Sequence, residues 1–152
     1  MIRCLFAAKD IQQSFIGVLL KLQVVGFEIS KVNQAIKKYP YKELCGCGVG
    51  FKLIQAHAIT NGVETLELLP FLDLVATAIA ADIVPMTGEN RILAYFGLKV
   101  INDEPRIGIK ALIKSIEKKE LTISDVVFII APRINAAGRI KHANYAVELL
   151  TS

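Results

Sequence analysis

The sequence predicts a mostly α-helical domain. Apolar residues recur at helical spacing in several separate segments. Hydrophobic residues make up 53% of the 152-residue chain, more than an average domain carries. No apolar run approaches the ~18 residues that a membrane span requires, and no signal peptide is evident. These features fit one domain, or a piece of a larger one, and no membrane partner is expected.

The three cysteines indicate a reducing compartment. Cys4, Cys45 and Cys47 are odd in number, and the last two lie too close along the chain for an easy disulfide. A second pair that would complete a zinc site is absent from the sequence. We therefore expect small, buried, reduced cysteines in a cytoplasmic protein. The net charge of +4 permits an anionic partner without requiring one.

The first part of the chain predicts short elements. Residues 10–22 have the spacing of an amphipathic helix, residues 23–29 are β-branched and predict a short strand, and a basic helix is expected over residues 31–38. A further helix is predicted over residues 44–58, and its first turns carry three alternating glycines. The Gly-Lys-Ser/Thr ending of a nucleotide-triphosphate loop is missing. The glycines therefore favour close helix packing over phosphate binding.

Three more helices are predicted in the middle of the chain. The apolar segment Leu68–Ala81 is ambiguous between strand and helix, and helix is favoured. Thr87 is placed to cap a helix over Asn90–Ile101, and Ile109–Ile116 carries a clean apolar stripe. The residues expected to face the core in the second of these helices are Ile92, Tyr95, Phe96 and Val100.

Two helices are predicted near the C terminus. Thr122-Ile123-Ser124-Asp125 resembles a capping box, with aspartate in place of the usual glutamate. The helix that follows, Ser124–Ala131, is expected to end near Pro132 because proline interrupts helices. The last helix is expected to carry Ala143, Ala146, Val147 and Leu150 on one face. Lys118 and Lys119 are expected at a solvated helix end.

Asp82 is the first candidate functional residue. It ends the long apolar segment, and Pro85 follows almost at once. A carboxylate at the end of a buried element, directed into a turn, suits a metal ligand. The alternative, which residue types alone favour, is that Asp82 caps a neighbouring helix or pairs with a lysine.

The second candidate site is the run Ala131–Arg139. Arg133, Asn135 and Arg139 lie there among small residues, between two apolar helices. A guanidinium group with little bulk around it can bind a phosphate with two hydrogen bonds. The alternative is a connector between helices whose arginines bind carbonyl groups or acidic side chains. The residue types alone favour neither of these two interpretations.

Three segments, taken in order, resemble one family. Tyr39–Leu53 looks like the segment that follows the catalytic Asp-His-His signature of RecJ-type exonucleases, which belong to the DHH phosphoesterase superfamily. Leu72–Pro85 with Glu89-Asn90-Arg91 is similar to the next metal-binding segment of that family. Pro132–Arg139 resembles its Pro-Arg-Ile-Asn-Ala-Ala-Gly-Arg run. The resemblance covers about residues 39–150.

The resemblance implies a fold and a function. The family fold is α/β, and this chain corresponds to its later, mostly helical part. The implied activity is metal-dependent hydrolysis of single-stranded DNA from the 5′ end, with Mn²⁺ or Mg²⁺, in DNA repair and recombination. Asp82 is then a metal ligand. Arg139, and less directly Arg133 and Asn135, would face the substrate phosphate.

The chain also departs from the family pattern. It contains neither an Asp-His-His motif nor an Asp-x-Asp motif, and its only histidines are His57 and His142. We therefore expect an atypical segment over residues 1–38 and a partial phosphoesterase domain over residues 39–152 that runs into an interdomain helix. Such a chain, a fragment or the product of an altered reading frame, should be inactive alone and should self-associate through exposed apolar surface.

Two alternative functions remain open at this point. One is a DHH phosphoesterase that acts on short oligonucleotides or cyclic dinucleotides. The other is a remnant without catalytic activity that only binds or packs. The arginine run together with Glu89-Asn90-Arg91 favours the exonuclease, whereas the missing ligand motifs favour the remnant.

Overall fold

The computed structural model describes residues 37–140 and 147–150, and these ranges contain helices and no strand. The elements predicted over residues 10–22 and 23–29, and nearly all of the helix predicted over residues 31–38, lie outside the described residues. Within the described part, no helix has both the length and the apolar composition needed to cross a membrane. The helices are α1 (Gly46–Thr60), a 3₁₀ helix (Thr65–Phe71), α2 (Leu72–Asp82), α3 (Gly88–Asp103), α4 (Ile107–Ile113), α5 (Ile123–Asp125), a π-helical segment (Val126–Ile130) and α6 (Ala131–Ile140). Residues 147–150 are also helical.

Helix α2 forms the centre of the fold. All but one of its residues from Leu72 to Ala80 are buried, as expected for a helix that is apolar on every side. Its Ala76 and Ile79 are fully enclosed. The segment favoured as a helix is therefore one, although its first residues form the preceding 3₁₀ helix, where Pro70 lies.

Helix α3 packs closely along α2 because of a glycine. A Cβ atom added to Gly97 would lie 2.1 Å from the carbonyl oxygen of Leu72 and 2.5 Å from the Cβ of Ala76. Any side chain at position 97 would therefore force the two helices apart. Gly48 and Gly50, at the start of α1, are also buried, in agreement with the predicted packing role, whereas the third glycine, Gly46, is exposed.

The predicted inward face of α3 is wrong at three of its four residues, and the fourth, Val100, is half-buried. Leu93, Ala94, Gly97 and Ile101 are buried, together with Asn90, whereas Ile92, Tyr95 and Phe96 are 57%, 57% and 45% exposed. The small residues Ala94 and Gly97 lie one turn apart and allow close backbone approach to α2. This contact turns the large apolar side chains outward.

The C-terminal helices differ from the prediction at Pro132. The capping box of Thr122 and Asp125 is present, but the helix does not end near Pro132. It continues through the π-helical segment Val126–Ile130 into α6. Proline cannot donate the usual backbone hydrogen bond, and the wider π turn directly before it shifts the bonding register. The run around Arg133 is therefore a helix and not a connector.

Asp125 should make the stability of the chain sensitive to acid. Hydrogen bonds from Lys118 Nζ (2.5 Å), Thr122 N (2.9 Å) and Thr122 Oγ1 (2.8 Å) lower the pKa of Asp125 from 3.8 to about 2. A carboxyl group whose pKa is lower in the folded state stabilises the fold above its unfolded pKa, and this stabilisation is lost as the pH falls to the folded value. Lys118, predicted to lie at a solvated helix end, thus pairs with Asp125.

We expect Asp125→Asn to flatten the pH dependence of stability between about pH 4 and pH 2. Thermal melts of both proteins across this range measure the effect. The wild type should lose more stability than the variant on acidification, and parallel curves for the two proteins would contradict the assignment.

Thr122→Ala, which removes the capping hydroxyl, should lower the free energy of unfolding by about 1 kcal/mol at neutral pH.

Candidate metal and phosphate site

Asp82 lies at the last turn of α2, half-buried, where the helix stops. Ile83 ends the helix in the left-handed conformation, with φ 52°. Burial raises the pKa of the Asp82 carboxyl, and the carboxyl end of a helix also disfavours a negative charge. Among the described residues, no hydrogen bond or ion pair compensates this carboxylate. A bound cation would stabilise the charged form of this carboxyl group, but the role of Asp82 as a metal ligand stays a prediction.

A segment before α1 holds the turn that follows Asp82. The hydroxyl of Tyr41 donates to the carbonyl oxygen of Thr87 over 2.7 Å. Gly88 has a positive φ of 46°, and a Cβ atom there would lie 2.7 Å from the ring of Tyr41. Only glycine therefore allows the tyrosine to close over the start of α3.

Glu89 helps to hold the turn after Asp82 through contacts with Tyr39 and Lys52. The hydroxyl of Tyr39 donates to both carboxylate oxygens of Glu89, at 2.7 and 2.8 Å, and Lys52 Nζ lies 3.2 Å from it. Burial, followed by the contact with Glu89, raises the pKa of Tyr39 to about 12. Glu89 is thus used to hold the turn against α1.

Asn90 is a site residue to which the sequence alone assigned no role. Its side chain is fully buried, and Nδ2 donates to the carbonyl oxygens of Glu43 (2.7 Å) and Pro85 (3.0 Å). It joins the two segments on either side of the site. Its Oδ1 is buried without a partner in the described structure. The sequence placed Asn90 in the Glu89-Asn90-Arg91 run that resembles the family segment, but it did not show which groups the side chain contacts.

Cys45 and Cys47 lie at the start of α1, near enough to Asp82 for its charge to act on both thiols. Burial is the main reason that the pKa values of both thiols are raised, that of Cys47 to about 12, and the charge of Asp82 contributes to both shifts. Raised pKa values disfavour the reactive thiolate form of both cysteines. Cys45 also caps α1, because its Sγ accepts from the backbone N–H of Gly48.

The donor set fits a divalent metal only in part. A carboxylate oxygen is a ligand that Mn²⁺ and Mg²⁺ prefer, and Asp82 supplies one. Over residues 37–140 and 147–150, no group of three or more His, Cys, Asp or Glu side chains is arranged to hold a metal ion. The remaining ligands would have to come from another part of the protein.

A buried ion pair lies at the opposite end of α2. Asp73 is fully buried, and Arg106 Nε lies 2.9 and 2.8 Å from its two carboxylate oxygens. The guanidinium group also donates to the carbonyl oxygens of Leu150 and Pro70, each over 3.2 Å. Arg106 therefore ties α2 and α4 to the helical turn at residues 147–150. The sequence analysis did not find this pair.

Position 133 of the predicted phosphate-binding run lies on a different side of α6 from positions 135 and 139. Arg133 donates to the carbonyl oxygen of Leu112 and to Ser115 Oγ, as in the carbonyl-binding alternative. Asn135 and Arg139 are four residues apart in α6, so their positions share a side of that helix, whereas position 133 is turned away from it. Asn135 is half-buried. A role for Arg133, Asn135 or Arg139 in phosphate binding stays a prediction.

Comparison with known proteins identifies similar sequences. No protein-family model matches the chain. It is 46% identical over 119 residues to the single-stranded-DNA-specific exonuclease RecJ of Bacillus subtilis, covering 75% of this chain and 14% of that protein. It is 43% identical over 122 residues to the RecJ of Haemophilus influenzae, covering 74% and 21%. The chain therefore spans less than a quarter of these relatives.

Solved structures give the same result. A crystal structure of Thermus thermophilus RecJ in complex with Mg²⁺ has a TM-score of 0.68 at 33% identity and covers 78% of this chain and 19% of that chain. A crystal structure of exonuclease RecJ bound to manganese has a TM-score of 0.66 at 35% identity and covers 74% and 29%. The predicted fold, the mostly helical later part of a DHH phosphoesterase domain, is confirmed.

Proposed function

We propose that this chain, whose residues 39–150 belong to the RecJ-type family of DHH phosphoesterases, forms part of a metal-dependent exonuclease for single-stranded DNA. The observation that carries the proposal is the Asp82 carboxylate, half-buried at a helix end within a segment similar to RecJ. The process served would be DNA repair and recombination, in the cytoplasm. The enzyme would use Mn²⁺ or Mg²⁺, the ions bound in the similar crystal structures.

The residues of this chain would position the site. Asp82 would supply one oxygen ligand, and a bound divalent ion would supply activation of water and stabilisation of the developing phosphate charge. Tyr41 and Asn90 hold the turn after Asp82 from two sides, so the carboxylate keeps its orientation. Arg139 and Asn135 would approach the phosphate from α6, and Arg133 would steady that helix against α4.

Two other functions are less well supported. A phosphoesterase for short oligonucleotides or cyclic dinucleotides would need the same Asp82, but the similarity is to single-stranded-DNA-specific exonucleases. A remnant without catalytic activity is favoured by the incomplete set of metal ligands in the described residues. The two alternatives can be separated from the exonuclease by experiment.

The test is a chimera in which residues 39–150 of this chain replace the matching segment of the Bacillus subtilis RecJ. We expect the chimera to release nucleotides from 5′-labelled single-stranded DNA in the presence of Mn²⁺ and to leave duplex DNA largely intact. The unaltered 152-residue chain, assayed in parallel, should release no more than background, because its described residues contain no group of three or more side chains that could hold a metal ion and the proposed reaction needs bound metal.

Three results would contradict the proposal. A folded chimera that releases no nucleotides would favour the remnant. A chimera that cleaves dinucleotides or cyclic dinucleotides but not longer DNA would favour the alternative phosphoesterase. Robust digestion by the 152-residue chain after repurification would mean that the site is complete without the remainder of the relative.

A further inference from the structure

The outer face of α3 carries a row of exposed aromatic and basic side chains. We define the α3 face as Arg91, Ile92, Tyr95, Phe96 and Lys99, all of which are exposed. Large apolar side chains in this position are costly unless they meet a partner. None of these five residues contributes to the candidate site around Asp82.

The α3 face has a regular order. Arg91, Tyr95 and Lys99 are spaced four residues apart and therefore lie in one row along the helix. The ring of Phe96 meets that of Tyr95 edge to face, with centroids 5.2 Å apart. Lys99 Nζ lies 4.8 Å from the centre of the Tyr95 ring. The aromatic pair is thus flanked by one cation on each side, and the two cations are separated by about 12 Å of helix.

We propose that the α3 face binds single-stranded DNA by stacking bases on Phe96 and Tyr95 while Arg91 and Lys99 contact phosphates. Every base offers a flat π surface to an exposed aromatic ring, and basic residues beside the ring neutralise the backbone. The proposal rests on the proposed function, because it names a second contact for the same substrate. It adds a binding surface that the candidate site does not contain.

The charges of the α3 face favour DNA over a second copy of the chain. In a twofold pairing of α3 centred on Tyr95, Arg91 of one copy would lie opposite Lys99 of the other, and like charges would repel. A polyanion meets both cations favourably. Asp103 continues the row after Lys99 and is exposed, so the basic stretch ends there. The self-association predicted from the sequence is therefore not expected through this face.

The experiment measures binding of the 152-residue chain to fluorescent oligothymidine and to an abasic oligonucleotide of the same length and charge. We expect tighter binding to oligothymidine at low salt. Phe96→Ala and Tyr95→Ala should each weaken that binding about tenfold and leave abasic binding unchanged. Phe128→Ala, which removes an even more exposed aromatic ring elsewhere, should change binding by less than about twofold.

The cations are tested by salt dependence. Lys99→Gln should reduce the slope of log affinity against log salt by about 0.7, whereas Lys110→Gln, an exposed lysine on α4, should not. Equal binding to both oligonucleotides, or no binding at low salt, would overturn the proposal. So would a change of oligomeric state in Tyr95→Ala without a change in DNA affinity. The nuclease assay of the chimera is independent of these results, so the two proposals can fail separately.

Discussion

Asp82→Asn in the chimera is expected to reduce nucleotide release by about a thousandfold or more, because the metal ion contributes several kcal/mol to such reactions. Asparagine keeps the size of the side chain and one oxygen but loses the negative charge that balances the cation. The half-buried carboxylate lies at the end of α2, where no described cation stabilises it. Single-turnover release of labelled nucleotides in Mn²⁺ measures the effect.

The matched control for Asp82→Asn is Asp103→Asn. Asp103 is an exposed aspartate at the end of the neighbouring helix α3, and its substitution should leave activity unchanged. Circular dichroism should show that both variants are folded. If Asp82→Asn retains activity within a few-fold of the chimera, the residue is a structural cap, as the alternative interpretation of the sequence had it.

Asp73→Ala is expected to destabilise the 152-residue chain by about 3–5 kcal/mol, the usual result of removing one partner of a buried ion pair. The variant leaves the guanidinium group of Arg106 without its carboxylate in a site that is nearly closed to water. The same guanidinium group also donates to the carbonyl oxygens of Pro70 and Leu150. Urea denaturation gives the free energy of unfolding directly.

The control for the ion pair is again an exposed acidic residue. Asp103→Ala removes a carboxylate of the same kind and should change the free energy of unfolding by less than about 0.5 kcal/mol. Arg106→Lys should also be less stable than the wild type, because lysine lacks the planar guanidinium group that reaches Asp73 and two carbonyl groups together. An Asp73→Ala variant as stable as the wild type would show that the pair contributes nothing.

Elements with a local signal were predictable. The helix over residues 44–58 follows from apolar spacing and is found as α1. The capping box of Thr122 and Asp125 is encoded within four residues and is present. The apolar segment before Asp82 is helical because its length and small residues suit a buried helix. These features depend on neighbours along the chain.

The errors arise where packing overrides local pattern. The large apolar residues of α3 were expected inside, but close contact at Gly97 directs Tyr95 and Phe96 outward. Pro132 was expected to end a helix, yet the preceding π-helical turn accommodates it. Neither the helix–helix distance nor the hydrogen-bond register is visible in apolar spacing.

In the candidate site, too, the residue with a local signal was predicted, whereas the residues with distant partners were not. Asp82 was predicted as a metal ligand from its position at the end of an apolar segment near Pro85, and that role stays a prediction. Asn90 and the Asp73–Arg106 pair were not, because their partners lie far along the chain, at Glu43 for the first and 33 residues apart for the second. A single sequence does not reveal which distant polar groups meet.

The most direct measurement is the anomalous diffraction of Mn²⁺ in crystals of the chimera. The account predicts a manganese peak at coordination distance from an Asp82 carboxylate oxygen, about 2.0–2.2 Å, and its loss or weakening in the Asp82→Asn crystal. A manganese ion bound by the relative's own residues, with Asp82 turned away from it, would contradict the account.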